Sequence, residues 1–234
     1  RQLRFFHRLQ RPTWPTMRQI LVLGTPMGGA ILAEAGFFHI IPMIAARLGT
    51  LALAAHAVAM SFDLTMFILP LAISQAITIR IANALGKNDS QHAKYIALTG
   101  LKITLAIGLL QCLIVTGAAS AIPALYTSDI AVANLAVTLL VVAAFIRIFD
   151  AIHIAGSGIL RGYGNTHTIF MISFSAFWLA GAPLAWLASS GDFTIGSSQI
   201  QAIWFAILAA VICASVMTLW QVRKTLVKTP VFPE

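Results

Sequence analysis

Six stretches of apolar residues alternate with short polar interruptions along the 234 residues of the chain. They run at about 18–46, 51–85, 94–119, 129–160, 168–189 and 199–222. A helix rises 1.5 Å per residue, so about 20 apolar residues cross the ~30 Å of hydrocarbon in a bilayer. The pattern therefore predicts an all-α membrane protein, a bundle of six transmembrane helices. "RLGT" and "YTSD" make the short connections, and "GKNDSQHAK", "RGYGNTH" and "SSGDFTIGSSQ" the longer polar ones. On this reading residues 1–17 are a basic cytoplasmic linker or interfacial segment, 18–225 a membrane lobe and 226–234 a cytoplasmic tail.

Composition agrees. Hydrophobic residues make up 59% of the chain and charged residues 9%, too few to clothe a soluble domain of this size. The net charge of +8 lies in loops that flank the spans, so it is read as topology and not as a nucleic-acid surface. Thirteen Lys and Arg residues fall on one side of the membrane, from Arg1 to Arg18, Arg80 to Lys102, at Arg161 and from Arg223 to Lys228. Arg47 stands alone on the other, beside Asp129 and Asp192. This bias predicts a multi-pass protein of the cytoplasmic (inner) membrane with both termini cytoplasmic. Trp14 and Trp220 suit the inner interface, Trp186 and Trp204 the outer one. No cleavable signal is expected, and a chain that begins with Arg suggests a preceding segment. Cys112 and Cys213 lie in apolar runs and are expected to pack.

Against this background the stretch "FIRIFDAIHIAGSGILRGYGNT", residues 145–166, is conspicuous. At 100° per residue Arg147 and His153 lie about 60° either side of Asp150, with Ser157 almost beneath it. The result is a polar stripe on one helix face. Glu34 and Asp63 fall at compatible depth on two other spans. An ionised group there costs at least ~2.5 kcal/mol, so such groups face a cavity or a partner and commonly carry function. Three carboxylates against one arginine leave spare negative charge, as a site for a cation or an exchangeable proton requires. The competing view makes Arg147 and Asp150 a self-neutralising structural pair. His39 is about 140° from Glu34, and hydrogen bonding is the expected role for it and for His56. Pro42, Pro70 and Pro183 favour kinks inside spans, and Gly24 with Gly28 makes a spacing suited to close helix contact.

An enzyme is disfavoured. Ser157 follows His153 on the same helix, a poor geometry for a nucleophile and its base, and no metal-ligand spacing is present. No cofactor is expected.

Three stretches together resemble one family of transporters. "ARLGTLALAAHAVAMSFDLTMFILPLAISQAITIRIANALGKND", "SGILRGYGNT" and "PMGGAILAEAGFF" resemble the eighth helix, the end of the tenth and the seventh helix of multidrug and toxic compound extrusion (MATE) transporters. The likeness runs from about residue 14 to 225. Those proteins have twelve helices in two six-helix lobes, and this chain matches the second. The resemblance implies export of organic cations in antiport with Na⁺ or H⁺. It makes Glu34, Asp63 and Asp150 the cation- or proton-binding acids, with Na⁺ as the only metal to be held there. Arg147, His153, Ser157 and His39 would line or tune the cleft. The implied partners are the organic cations, the lipid bilayer and a first lobe, with no nucleic acid. The weighed alternatives are a flippase of lipid-linked saccharides from the same superfamily, and more remotely a membrane-embedded enzyme.

Overall fold

A computed structural model describes residues 13–190, 196 and 198–228 of the chain. Most of the basic segment at 1–17, the acid at 192 and the tail after 228 lie outside the described residues. Six helices carry the fold: α1 (Trp14–Arg47), α2 (Thr50–Gly86), α3 (Ser90–Ala118), α4 (Ile130–Gly162), α5 (Thr166–Ser190) and α6 (Gln199–Lys228). All six are long and apolar enough to cross a membrane, and their positions match the apolar runs in the sequence. The protein is an all-helical, multi-pass membrane protein.

Local chemistry sets the ends of these helices. The Asp89 side chain accepts from the His92 amide at 2.9 Å, and Asp129 accepts from Ala131 and Val132 at 2.8 and 3.3 Å. These two acids are N-caps, which occupies them structurally. The tight turns at "RLGT" and "RGYGN" place Gly49 at φ 104° and Gly164 at φ 75°, where glycine alone is unstrained.

α4 is the axis of the bundle, buried along most of its length and packed against α2, α3 and α6. Its partners α2 and α6 run parallel to it. Ser74 donates to the Ile154 carbonyl at 2.7 Å and Thr78 to that of Gly158 at 2.8 Å; Ser215 donates to the Phe149 carbonyl at 2.6 Å. In lipid there is no hydrophobic drive between helices, so small residues and such hydroxyl bonds hold them together. Gly158 and Gly162 permit the approach of α2: a Cβ on Gly162 would meet the Ile81 Cβ at 2.7 Å, and one on Gly158 the Ser74 carbonyl oxygen at 2.6 Å. Gly108 of α3 abuts the Arg147 carbonyl and Ala151, and Gly156 abuts Thr218 of α6.

Prolines leave visible consequences. Pro70 has no amide to offer the Met66 carbonyl, and Gln111 of α3 supplies the missing donor at 2.7 Å. In α5, Phe174–Gly181 forms wide π turns immediately before Pro183. Ser173, Phe177, Gly181 and Ala185 are buried at four-residue intervals. A regular helix advances 400° in four residues, so that series would drift about 120° over three steps; wider turns keep it on one face.

Two expectations are corrected. Gly24 and Gly28 have nothing within 4 Å of where a Cβ would sit, so among the described residues their spacing mediates no helix contact. Gly29 and Gly36 do that work instead, against the Phe170 and Trp178 rings of α5. Trp204 is not an interfacial anchor; it is 1% exposed and meets His56 edge to face, ring centroids 5.7 Å apart. Trp186, 53% exposed and with Arg47 4.9 Å above its ring, has the character expected of such an anchor.

Candidate cation site in the bundle interior

The polar stripe of α4 turns inward and meets groups from four other helices. The Arg147 guanidinium grips Asp63 of α2 with two nitrogens: Nε lies 2.9 Å from Oδ1 and Nη2 donates to Oδ2 at 3.0 Å. Its Nη1 lies 3.2 Å from Oδ2 of Asp150, one turn along the same helix. All three side chains are buried, so one planar cation is shared by two carboxylates out of water. The trio carries one surplus negative charge.

His153 faces the other way, toward α1 and α6. Its Nε2 is 3.2 Å from Glu34 Oε1, and its Nδ1 is 2.9 Å from the Thr218 hydroxyl. Ser173 of α5 donates to the same Glu34 oxygen at 2.6 Å. A carboxylate only accepts, so Nε2 carries the ring proton in the neutral imidazole and Nδ1 then accepts from Thr218. The Glu34 side chain is 33% exposed, whereas Asp63 and Asp150 are about 10% exposed.

The five ionisable groups singled out by depth and spacing thus lie together. They form two adjoining clusters, Asp63–Arg147–Asp150 and Glu34–His153, joined through neighbouring positions of α4. The acids do not converge as a three-carboxylate cage, and among the described residues no three metal-ligand side chains are gathered as a metal would need. Ser157 is buried beneath the stripe, and its hydroxyl has no hydrogen-bond partner among the described residues. Both nitrogens of His153 are engaged elsewhere, so no nucleophile–base pair assembles with Ser157.

His39 stands apart. It is exposed, and its Nδ1 lies 2.6 Å from the Ala35 carbonyl of its own helix, so the structure does not bring it to Glu34. Hydrogen bonding describes His39 and not His56, whose buried ring nitrogens have no partner among the described residues. Sequence reasoning passed over Thr218 and Ser173, both fully buried. A single hydroxyl in an apolar span is too common to stand out; only the position of its partner shows its use. Arg161, in the predicted connection "RGYGNTH", lies instead in the last turn of α4, where its Nη2 donates to the Ser74 hydroxyl at 3.0 Å.

The described residues thus make a six-helix membrane bundle with a buried charge cluster at its centre. Residues 26–187 match the MatE family model, so the chain belongs to the MatE family, a family of transporters and not of enzymes. It is 31% identical over 217 residues to multidrug resistance protein MdtK of Photorhabdus laumondii, covering 93% of this chain and 48% of that protein. To MdtK of Cronobacter sakazakii it is 31% identical over 214 residues, covering 92% and 47%. Among solved structures it superposes on an outward-facing multidrug resistance MATE transporter with a TM-score of 0.85 at 15% identity, over 95% of this chain and 49% of that one. On the Vibrio cholerae MATE transporter VcmN in its bent form the TM-score is 0.83 at 18% identity, over 95% and 50%. The chain spans about half the length of the relatives it matches.

Proposed function

We propose that this chain forms the second lobe of a twelve-helix exporter that expels organic cations in antiport with H⁺ or Na⁺. The carrying observation is the charge balance of the interior: three carboxylates from three helices against Arg147 and the more distant Arg161, which leaves one negative charge in excess, with a histidine bonded to the third acid. A buried negative surplus suits a cationic cargo, and two ligands that need the same carboxylates exclude one another, as antiport demands. The relatives' printed name, multidrug resistance protein, supports the same reading. A first lobe would cover the open side of Glu34. A lipid-linked saccharide flippase needs a basic cavity for its pyrophosphate, and the acid excess here opposes that alternative.

Asp150→Asn in the full-length protein keeps size and removes charge. We expect it to abolish dye efflux from energised cells while the protein accumulates normally; efflux at the wild-type rate would sink the assignment. Glu34→Gln should act in the same way.

The thirteen-to-one distribution of Lys and Arg supports an orientation in the inner membrane with both termini cytoplasmic. In a variant lacking Cys112 and Cys213, a cysteine at position 192 should react with an impermeant maleimide from outside, and one at position 87 should not. The reverse labelling pattern would invert the topology.

A further inference from the structure

We propose that the cleft between the end of α2 and the start of α3 binds the phosphate of an anionic phospholipid of the cytoplasmic leaflet. The inference goes beyond the exporter reading and borrows only the orientation that puts this turn on the cytoplasmic side. Arg80, Asn83, Ala84 and Lys87 follow one another at three- and four-residue steps, so they share one face of α2. His92 and Ile96 share a face of α3 in the same way. Lys87, Asn88 and Asp89 join the two helices, with Asn88 at φ 60° and the Asp89 amide folded back onto the Ala84 carbonyl at 3.0 Å. The two faces are thereby held against one another and enclose a cavity of about 280 Å³. Pockets for drug-sized ligands run from ~300 to 1,000 Å³, so this space suits a small polar group.

The lining fits an anion. Arg80, Asn83, Lys87 and His92 offer N–H donors, and the buried Ala84 and Ile96 give the cavity an apolar base. A guanidinium grips two phosphate oxygens at once, and a lysine adds a compact, mobile charge. Among the described residues neither Arg80 nor Lys87 has an ion-pair partner, although Asp89 lines the same cavity. Asp89 is taken up as the N-cap of α3, accepting from the His92 amide at 2.9 Å. Two cations therefore stand against one acid, and both cations are unspent.

Depth favours a lipid over a free phosphate. Arg80 lies six residues before the end of α2, so the cavity reaches about 9 Å along that helix. The headgroup layer on each face of a bilayer is roughly 5–7 Å thick, which puts the cavity at its level. Next to the lining in sequence, Ile79, Tyr95 and Leu98 are exposed, a flank on which acyl chains can lie. Tyr95 stacks on the His92 ring, centroids 6.3 Å apart, at the depth where aromatic belts form. A free phosphate would use the cations and leave this flank idle. The cytoplasmic leaflet is also the one whose anionic lipids attract basic groups close to a span.

The test uses delipidated full-length protein in detergent and radiolabelled phosphatidylglycerol, with phosphatidylcholine of the same chains as the neutral comparison. The wild type should bind phosphatidylglycerol saturably and in preference to phosphatidylcholine. A basic side chain at a headgroup contributes about fivefold in affinity, so Arg80→Gln/Lys87→Gln should weaken phosphatidylglycerol binding by roughly twenty-fivefold. Asp89→Asn keeps the N-cap and removes the acid, so it should tighten binding several-fold, which a misfolded variant could not do. Arg223→Gln/Lys224→Gln removes the same charge from α6, outside the cavity, and should leave the affinity unchanged. Equal weakening by the two double variants would overturn the site in favour of a diffuse basic surface. Equal affinity for the two lipids, or displacement of phosphatidylglycerol by millimolar inorganic phosphate, would overturn the lipid assignment. Orientation is read separately, by the maleimide labelling at positions 192 and 87. Loss of lipid selectivity in detergent would thus sink this inference and leave the exporter reading and the topology standing.

Discussion

Arg147→Met should cost the full-length protein more stability than any other single change in the charge cluster, lowering its melting temperature in detergent by roughly 10 °C. Removing one partner of a buried pair strands the other, at about 3–5 kcal/mol, and here two carboxylates lose the same cation. Asp63 and Asp150 are both buried, and the guanidinium is the only cationic group within ion-pair distance of either among the described residues. Adding Asp63→Asn removes one stranded charge and keeps a hydrogen-bonding group, so the double variant should recover a large part of the loss. Thermal melts of the wild type, the single and the double variants in parallel decide the matter. If Arg147→Met melts with the wild type, the guanidinium is not what neutralises these acids.

The second large effect should come from one methyl group. Gly158→Ala places a Cβ 2.6 Å from the backbone carbonyl oxygen of Ser74 and into the Ser74 hydroxyl. A flexible side chain could move away; a backbone carbonyl cannot without shifting α2. Overpacking of this kind costs ~1–3 kcal/mol. The shift also disturbs three hydrogen bonds: Ser74 to Ile154, Thr78 to Gly158 and Arg161 to Ser74, 2.7–3.0 Å long. Each contributes on the order of 1 kcal/mol. Gly24→Ala is the internal control, since its Cβ would enter open space. A melting curve for Gly158→Ala that coincides with that of Gly24→Ala would show that α2 and α4 do not meet at this glycine.

The six spans were legible because hydrophobicity over twenty residues needs no knowledge of neighbours. So was the inward polar stripe of α4: Arg147, Asp150 and His153 share a face by helix periodicity alone, and lipid leaves ionised groups little choice of direction. The pairing was not legible. Arg147 binds Asp63 more fully than its own-helix neighbour Asp150, and His153 reaches Glu34, because the rotation of α1 and α2 about their axes is set by packing. The same ignorance of rotation turned Trp204 outward on paper and gave Gly24 and Gly28 a helix partner, although a helix apolar all round carries no angular signal. The π turns of α5 answer a mismatch between a four-residue burial repeat and a 3.6-residue helix, visible only once burial is known.

The glycines of α4 have a consequence for how the lobe can move. Gly156, Gly158 and Gly162 bring the backbone of α4 to atomic contact with α2 and α6, and Gly108 does so from α3. A rod gripped on three sides at that distance can neither roll nor slide without prising its neighbours apart. The stripe bearing Arg147, Asp150 and His153 therefore keeps a constant bearing toward α2 and α6, and its exposure can change only by displacement of everything bolted to α4 or of what lies across from it. α1 is what lies across: among the described residues its hydrogen bond to α4 is the one Glu34 accepts from His153, with no backbone packing of comparable extent between the two helices. The helices around α4 thus form a stiff block, and α1, which packs on α5 through Gly29, Gly36 and the Trp178–Ala33 hydrogen bond, is tied to α4 itself by one carboxylate.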